Sequence, residues 1–275
     1  MHLLLLEKIY GSKSAQITAL RSAQDILKRE VGSLRLNRLE PSIGNAGYLQ
    51  VSMDGVDYEG AKQYLKWKYG TTINFNELVV GDKRRGHLVS PNKVGFGNFV
   101  DIGIVNPRKE ALLPLYRLRD QLPNGKALSM SQIIRIYGFV ENFPVDTIVT
   151  SIDQDKGTIN IELAKTSLEL FNQWYFDRLE RVICCGTSRR EIKRALIKAG
   201  AGEDFKKIER LGLMENAIAC LCGINASHLI QKVIFIQMTR KVNIGIYDSK
   251  EIRTSAVCLP SAPVRAIFFE EYNQN

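Results

Sequence analysis

Residues 94–103 have the sequence Val94-Gly95-Phe96-Gly97-Asn98-Phe99-Val100-Asp101-Ile102-Gly103. The second half of this stretch alternates in character, which is typical of a strand with one buried face. Val100, Ile102 and the following Ile104 fall on the apolar face, whereas Phe99 and Asp101 fall on the other. The first two glycines allow the backbone to turn sharply before the strand begins. The stretch therefore predicts a tight loop followed by a strand that points Phe99 away from the core.

Four more β-rich runs lie near this strand, between about Glu77 and Ala164. The five candidate strands are Arg84–Ser90, Asn98–Ile104, Ala111–Leu115, Val145–Asp153 and Thr158–Leu163. Five short strands joined by glycine-containing turns suit a small closed barrel such as the OB-fold. A connection of about 28 residues (116–143) carries a helical pattern, so we predict a helical insertion there.

The two flanking regions repeat one order of elements. Residues 1–76 show strand and helix patterns in the order βαββαβ, with the last strand at Thr71–Phe75, and residues 167–275 repeat that order before a tail at 248–275. This order is typical of ferredoxin-like domains. The sequence therefore predicts an α+β protein with a ferredoxin-like domain (1–76), a barrel domain (77–166) and a second ferredoxin-like domain with a C-terminal tail (167–275). Within that tail, Ala266–Phe269 is predicted to dock as an edge strand.

Composition indicates a globular chain with a basic surface. Of 275 residues, 45% are apolar and 24% are charged, and 38 Lys and Arg against 29 Asp and Glu give a net charge of +9. A basic balance permits a polyanionic partner. No apolar run approaches the roughly 20 residues that cross a bilayer, and the opening run of leucines is too short for a signal peptide. We therefore expect a cytoplasmic protein that does not contact membranes.

Cysteines and histidines do not indicate a catalytic or metal site. The cysteines are Cys184, Cys185, Cys220, Cys222 and Cys258. Their spacing does not match paired zinc knuckles. The predicted sheet places the pair Cys184 and Cys185 toward one edge and the pair Cys220 and Cys222 toward the opposite edge, so buried reduced thiols are favoured. His2, His87 and His228 fall in three different regions, and no known catalytic motif appears. We expect no catalytic residues, no metal and no cofactor.

Aromatic and basic residues around the quoted stretch predict an RNA-binding face. Unpaired bases stack on exposed aromatic rings, worth about 1–3 kcal/mol per base, and nearby cations follow the phosphates. Phe96 and Phe99 are the stacking candidates. A phenylalanine in such a strand often fills the barrel, but the alternation described above favours an outward Phe99. The phosphate candidates are Lys83, Arg84, Arg85, Lys93, Arg117 and Arg119.

A basic helix is predicted in the last third of the chain. Ser188-Arg189-Arg190-Glu191 has the pattern of a capping box and predicts a helix that extends to residue 199. Arg190, Arg194 and Lys198 are spaced by four residues and share its polar face. Such a face is often simply solvated, but it can also contact a phosphate backbone, a membrane surface or an acidic protein. We include these three residues among the candidate RNA contacts.

The central motif resembles a known RNA-binding domain. Phe96-Gly97-Asn98-Phe99-Val100 is similar to the F-G-x-F-V pattern of the S1-type domain, an OB-fold, and Ala111–Pro114 and Val145–Leu163 resemble its later strands. The resemblance implies an RNA-binding barrel. The sequence departs from the pattern where Pro114 and Leu115 replace a usual histidine. It also departs at the turn 153–157, which holds two carboxylates.

The chain as a whole resembles the archaeal "domain of unknown function 2110" family. The residues that carry this resemblance are Gly70–Thr72, Lys93–Gly97, Val100–Ile104 and Leu211–Ala217. The resemblance implies an archaeal cytoplasmic protein with an RNA-binding barrel, and it supplies no activity.

These observations lead to one main hypothesis and two alternatives. We expect a non-enzymatic protein that binds single-stranded or structured RNA and acts with the translation or transcription machinery, with the ribosome or RNA polymerase as possible partners. Alternatively, the barrel docks on a ribosomal or RNA polymerase subunit without binding RNA, which the acidic turn and the missing histidine favour. The second alternative is an enzyme that acts on RNA or nucleotides.

Overall fold

A computed structural model describes residues 2–234 and 242–254. The chain begins with five elements, which are β1 (His2–Lys8), α1 (Lys13–Glu30), β2 (Leu36–Ile43), β3 (Tyr48–Gly55) and α2 (Tyr58–Tyr69). The strands form an antiparallel sheet in the order β1-β3-β2. Helix α1 buries Ala15, Ala19, Ala23 and Leu27 at a spacing of four residues, so its small side chains allow close packing on the apolar residues of this sheet. We call residues 2–69 the amino-terminal unit.

The strand predicted at Thr71–Phe75 does not form, and these residues connect two sheets instead. Thr71 makes an antiparallel bridge to Leu5, and Ile73 makes a parallel bridge to Ile104. The Ile73 N–H donates to the Gly103 carbonyl at 3.0 Å. A short 3-10 helix begins at Phe75, because Asn74 caps it and ends the extended backbone. The predicted strand is therefore divided between β1 and the barrel.

The middle of the chain forms a closed five-stranded barrel. Its elements are β4 (Lys83–Val89), β5 (Gly97–Val105), β6 (Arg108–Pro114), α3 (Leu115–Gln121), α4 (Met130–Tyr137), β7 (Pro144–Asp153) and β8 (Thr158–Leu163). The strand order is β4-β5-β6-β8-β7, and β6 and β8 pair in parallel at Leu112 and Asn160. Val100, Ile102 and Ile104 are buried in the core. The predicted closed barrel is confirmed, and the insertion contains two helices.

The last third adds a four-stranded antiparallel sheet. Its elements are α5 (Lys165–Asp177), β9 (Arg181–Cys185), α6 (Arg189–Lys198), β10 (Phe205–Arg210), β11 (Glu215–Cys220), α7 (Ala226–Ile234), β12 (Asn243–Tyr247) and α8 (Ser249–Thr254). The strand order is β10-β11-β9-β12. We call residues 181–254 the carboxy-terminal unit. Cys258 and the edge strand predicted at Ala266–Phe269 lie outside the described residues.

Three of the four described cysteines are buried, as predicted. Cys185 pairs with Glu215 at one end of β9, whereas Cys220 ends β11 at the other end of the sheet. Burial raises the pKa of the Cys184 thiol to about 12. Cys222 is exposed because it follows the end of β11. Within the described residues, no three His, Cys, Asp or Glu side chains are grouped as metal ligands.

The three parts of the chain share their cores. The barrel core extends into an aromatic cluster, whose members are Tyr137, Phe139, Phe143, Phe171, Trp174 and Tyr247. The amino-terminal core in turn receives Leu213 and Met214 from the segment between β10 and β11. Each part therefore depends on residues from another part for burial of its apolar surface. Across the described residues, no helix has the length and apolar character needed to cross a membrane.

Candidate nucleic-acid interface

Two exposed aromatic residues lie at one end of the barrel. Phe96, in the loop before β5, is 58% exposed, and Tyr116, in the first turn of α3, is 59% exposed. The Leu115 N–H donates to the Phe96 carbonyl at 2.8 Å, which holds the loop against the start of α3. A Cβ atom at Gly97 would lie 2.5 Å from the Leu113 carbonyl oxygen, so glycine is required where β5 approaches β6. The hydrogen bond between Leu115 and Phe96 therefore brings the backbone of Phe96 next to the residue that precedes Tyr116.

Phe99 lies on the outer face of β5, outside the barrel core. It is half-buried, and its partners in the neighbouring strands are Val89 and Leu112. The adjacent residue Val100 is fully buried in the core. The side chains alternate because β5 is a regular strand at this point, so one face fills the barrel and the other carries Phe99.

Basic residues lie beside these rings. Lys93 is exposed in the loop before β5, and Ser131 donates to Asn92 in that loop at 2.8 Å. The Arg117 guanidinium lies 5.5 Å from the Tyr116 ring centroid, and one of its nitrogens lies 3.2 Å from a Glu162 oxygen. We call this group the aromatic surface; its members are Lys93, Phe96, Phe99, Tyr116 and Arg117. Sequence reasoning missed Tyr116, because nothing in the sequence reveals the bond between Leu115 and Phe96.

Arg119 makes a contact within the insertion, and its predicted phosphate role stays a prediction. Its Nε donates to the Leu128 carbonyl at 2.7 Å, so it joins α3 to the segment before α4. This bond stabilises the insertion and takes up part of the guanidinium that was expected to bind phosphate.

Arg84 is a structural residue, which corrects its predicted phosphate role. Its side chain is buried, and it donates to the Ile102 carbonyl at 2.9 Å and to the Thr71 carbonyl at 2.6 Å. Burial lowers the pKa of Arg84. The guanidinium therefore joins the barrel to the end of the amino-terminal unit through hydrogen bonds to backbone carbonyls.

Arg85 also departs from its predicted role, because it connects all three parts of the chain. Its guanidinium lies 3.1 Å from Glu7 in β1 and 3.4 Å from Asp146 in β7, and it donates to the Leu211 carbonyl after β10. The two carboxylates and the carbonyl surround the guanidinium, so a phosphate would have to displace them to reach it. Sequence reasoning could not find this arrangement, since a buried arginine and a solvated arginine look the same in the sequence.

The remaining predicted cations lie away from the aromatic surface. Lys83 is exposed at the start of β4 and faces a cleft beside the amino-terminal unit. Arg190, Arg194 and Lys198 are exposed on α6, and within the described ranges none of them forms an ion pair. The predicted capping box of this helix is present, since Ser188 and Glu191 bond to each other's backbone N–H groups. Helix α6 packs on the carboxy-terminal sheet, so it presents a second basic surface.

The second half of the outer face of β5 is covered. Asp101 is only 2% exposed, and it accepts hydrogen bonds from Tyr48 at 2.5 Å and from the Gly103 N–H at 3.1 Å. Lys8 forms an ion pair with it at 2.6 Å. Burial alone would raise the pKa of Asp101, but Lys8 and the hydrogen bonds hold that pKa below its ordinary value. The amino-terminal unit thus confines the open face to the end that carries Phe96 and Phe99.

The fold is that of an α+β protein built around a closed barrel, and sequence comparison assigns its family. Residues 78–175 match the DUF2110 central domain, and residues 179–234 match the DUF2110 C-terminal domain. The two matches together cover more than half of the 275 residues. The chain belongs to the DUF2110 family, which confirms the family resemblance found in the sequence. No curated protein sequence matches it.

Three solved structures are similar to parts of the chain. The uncharacterized protein MJ1198 from Methanocaldococcus jannaschii is 12% identical over 32% of this chain and 96% of its own, with a TM-score of 0.23. A chain of the a/eIF2alpha-aDim2p-rRNA complex from Pyrococcus horikoshii OT3 is 15% identical over 56% of this chain and 68% of its own, with a TM-score of 0.25. The intact alpha subunit of aIF2 from Pyrococcus abyssi is 11% identical over 61% of this chain and 97% of its own, with a TM-score of 0.20. At these TM-scores we draw no functional conclusion from the similarity.

Proposed function

We propose that this chain is a non-enzymatic RNA-binding protein that stacks unpaired bases on the aromatic surface. The observation that carries the proposal is the exposure of Phe96 and Tyr116, at 58% and 59%, next to the half-buried Phe99. Single exposed aromatic side chains are common on protein surfaces, but several grouped in one patch mark an interaction surface. Stacking a base on each ring contributes about 1–3 kcal/mol, without requiring a particular base.

Cations around and beyond the rings supply the phosphate contacts. Lys93 and Arg117 flank the rings, and Arg190, Arg194 and Lys198 on α6 extend the basic surface in the carboxy-terminal unit. Arg84 and Arg85 are excluded, because their guanidinium groups are engaged between the parts of the chain. Each phosphate contact that remains is expected to make binding weaker as the salt concentration rises.

The finer classification belongs to the same proposal. The barrel is interpreted as an S1-type OB-fold, because its strand order and parallel β6–β8 pair accompany the F-G-x-F-V motif. The flanking sheets are interpreted as ferredoxin-like domains, the second with all four strands. A role beside the archaeal translation or transcription machinery in the cytoplasm is supported by the S1-type resemblance together with what the DUF2110 resemblance implies.

Fluorescence anisotropy of a labelled single-stranded RNA tests the proposal. The wild type is compared with Phe96→Ala/Tyr116→Ala at two salt concentrations. The matched control is Phe176→Ala, since Phe176 is 74% exposed on α5, away from the aromatic surface. We expect salt-dependent binding that weakens at least tenfold in the double variant and is unchanged in the control. No binding at low salt, or an equal loss in the control, would overturn the proposal.

A protein-docking function is the second candidate. The exposed turn at 153–157 carries Asp153 and Asp155, which would repel an RNA backbone, and Asp101 is covered by the amino-terminal unit. Exposed aromatic residues such as Phe96 also anchor protein interfaces. This candidate predicts a protein partner that stays bound after nuclease treatment. The Phe96→Ala/Tyr116→Ala variant should lose that partner, and the wild type should have no affinity for naked RNA.

A further inference from the structure

A cleft of about 620 Å³ lies where the three parts of the chain meet. Its walls come from α1 and α2 of the amino-terminal unit, the start of β4, the start of α5 and residues 210–213. Small-molecule sites have volumes of about 300–1,000 Å³ and occur preferentially at junctions between domains. The cleft therefore has the size and the location of a ligand site, and it is separate from the aromatic surface.

The charge in this cleft is unbalanced. Seven Lys or Arg side chains and three carboxylates line it. Each carboxylate already has a cation: Glu30 lies 2.8 Å from Lys68, and both Glu7 and Asp146 pair with Arg85. The positive charge that remains is therefore not neutralised by the cleft itself, and an anion that entered would meet a favourable potential.

Three cations from three parts of the chain remain available. Lys66 on α2, Lys83 on β4 and Arg210 at the end of β10 are exposed, and in the described part of the chain none of them forms an ion pair. Arg84 adds a further positive charge behind Lys83, since its guanidinium is bound by carbonyl oxygens only. Several cations that converge on one cleft suit a group with several negative oxygens, such as a phosphate.

The same cleft has an apolar floor and an aromatic rim. Leu6, Leu27 and Leu49 form part of the floor and are almost fully buried. Trp67 lies at the rim and is 80% exposed. The end of α2 is fixed against β1, because the Gly70 N–H donates to the Lys66 carbonyl at 3.0 Å and the Gly70 carbonyl accepts from the Leu6 N–H at 3.3 Å. Trp67 thus presents a flat side chain on a backbone segment that is fixed against β1.

The position of Gly70 explains why α2 ends at this point. Its φ of +67° is in the left-handed region, and a Cβ atom there would lie 2.8 Å from Leu6 Cδ1. Only glycine adopts this conformation readily and still allows the close approach. The backbone that carries Lys66 and Trp67 is therefore held in place before any ligand arrives.

We propose that the cleft binds a free nucleotide, with the base against Trp67 and the phosphates among Lys66, Lys83 and Arg210. The apolar floor and the exposed indole suit a planar base, which stacks on aromatic rings, whereas the three cations suit the phosphate groups. A bound nucleotide would contact all three parts of the chain at once. Because it would bind the folded state only, it would also stabilise that state against unfolding.

Isothermal titration calorimetry on the full chain tests this proposal, with ATP, GTP, adenosine and inorganic phosphate as separate ligands. Intrinsic fluorescence provides a second readout, since Trp174 is fully buried and Trp67 is the exposed tryptophan. The variants are Lys66→Ala/Arg210→Ala and Trp67→Leu. Lys13→Ala is the matched control, because Lys13 is exposed at the start of α1 and does not line the cleft.

We expect a triphosphate to bind more tightly than adenosine or phosphate. Binding should weaken at least tenfold in Lys66→Ala/Arg210→Ala and in Trp67→Leu, and it should be unchanged in Lys13→Ala. Circular dichroism checks that each variant is folded. The proposal is overturned if neither triphosphate binds the wild type. It is also overturned if inorganic phosphate binds as tightly as a triphosphate, because that result would indicate an anion site only. A single-stranded RNA that binds more tightly than a triphosphate and depends on Trp67 would also overturn it, by assigning the cleft to RNA.

Discussion

Lys8 Nζ lies 2.6 Å from Asp101 Oδ2, and this ion pair joins the first strand of the chain to the outer face of the barrel. Both side chains are more than nine-tenths buried. The pair therefore uses a part of the barrel face that would otherwise be open to a ligand. It leaves Phe96 and Phe99 at the free end of that face, and together with the contacts of Arg84 and Arg85 it holds the amino-terminal unit against the barrel.

Substitution of Asp101 by Asn should destabilise the fold. The variant leaves Lys8 buried without a counter-ion, which typically costs about 3–5 kcal/mol. The free energy of unfolding in urea measures this at neutral pH, and Asp120→Asn on exposed α3 is the control. Because the pKa of Asp101 is lowered in the folded state, its contribution is present above the ordinary carboxyl pKa and is lost as the pH falls through the lowered value. An unchanged difference between wild type and variant in acid would contradict this assignment.

Arg85→Met should separate stability from RNA binding. Removal of the guanidinium leaves Glu7 and Asp146 without their cation, so we expect a loss of about 3 kcal/mol in the free energy of unfolding. RNA affinity, measured where the variant is folded, should not change. Arg194→Ala on α6 is the reciprocal variant, with weaker RNA binding and a stability within about 0.5 kcal/mol of the wild type. An RNA affinity reduced by Arg85→Met alone would return Arg85 to the binding surface.

Glu215 should make the protein less stable as the pH rises from weakly acidic to neutral. Burial, followed by the charge of Glu7, raises its pKa to about 8, although Tyr10, Arg85 and the Met214 N–H oppose the shift. A raised folded-state pKa gives stability that is complete below the ordinary carboxyl pKa and is lost as the pH rises through the folded value.

The Glu215→Gln variant isolates this contribution, because it cannot ionise. The difference in unfolding free energy, variant minus wild type, should grow by up to about 1.4 kcal/mol per pH unit between roughly pH 5 and pH 8. The change with pH is the quantity to measure, so a constant penalty from the amide does not affect the result. A difference that is flat over this range would show that Glu215 is ionised in the folded state.

Arg181→Lys should lower the melting temperature. The Arg181 guanidinium is fully buried between Asp177 and Glu209, and it lies 4.7 Å from the Trp174 ring centroid. Lysine keeps the charge but lacks the planar group that contacts both carboxylates and the ring, so a loss of about 2–4 kcal/mol is expected. Thermal unfolding measures the effect, with Arg178→Lys on the surface as the control. Equal melting temperatures for the two variants would contradict a role for the guanidinium geometry.

The barrel could be predicted from the sequence because its signal is local. The alternation around Val100 and Ile102 is imposed by strand geometry, and it appears wherever one face of a strand is buried. Thr71–Phe75 shows the limit of this reasoning. Its composition suits a strand, but its neighbours are Leu5 and Ile104 in two different sheets, and Asn74 ends the extended backbone. The local sequence does not show that two different sheets pair with this segment.

Part of the candidate site could be predicted for the same reason. Phe96 and Phe99 could be predicted because a glycine-bounded loop and an alternating strand expose them. Arg84 and Arg85 could not be assigned, since their partners include Thr71, Glu7 and Leu211, the last of which lies 126 residues along the chain. A charge pattern is the same whether a cation faces water or a distant carboxylate, so only the folded structure separates the two.

The contact of Leu213 and Met214 with the amino-terminal core has a consequence for how the chain folds as it is synthesised. The first sheet and its helices leave the ribosome early, but the residues that complete their core follow only after the whole barrel has been made. At about 5–20 residues per second, that delay is roughly 7–30 s. During this interval the nascent chain carries an open apolar patch beside β1, which is covered when the segment between β10 and β11 arrives.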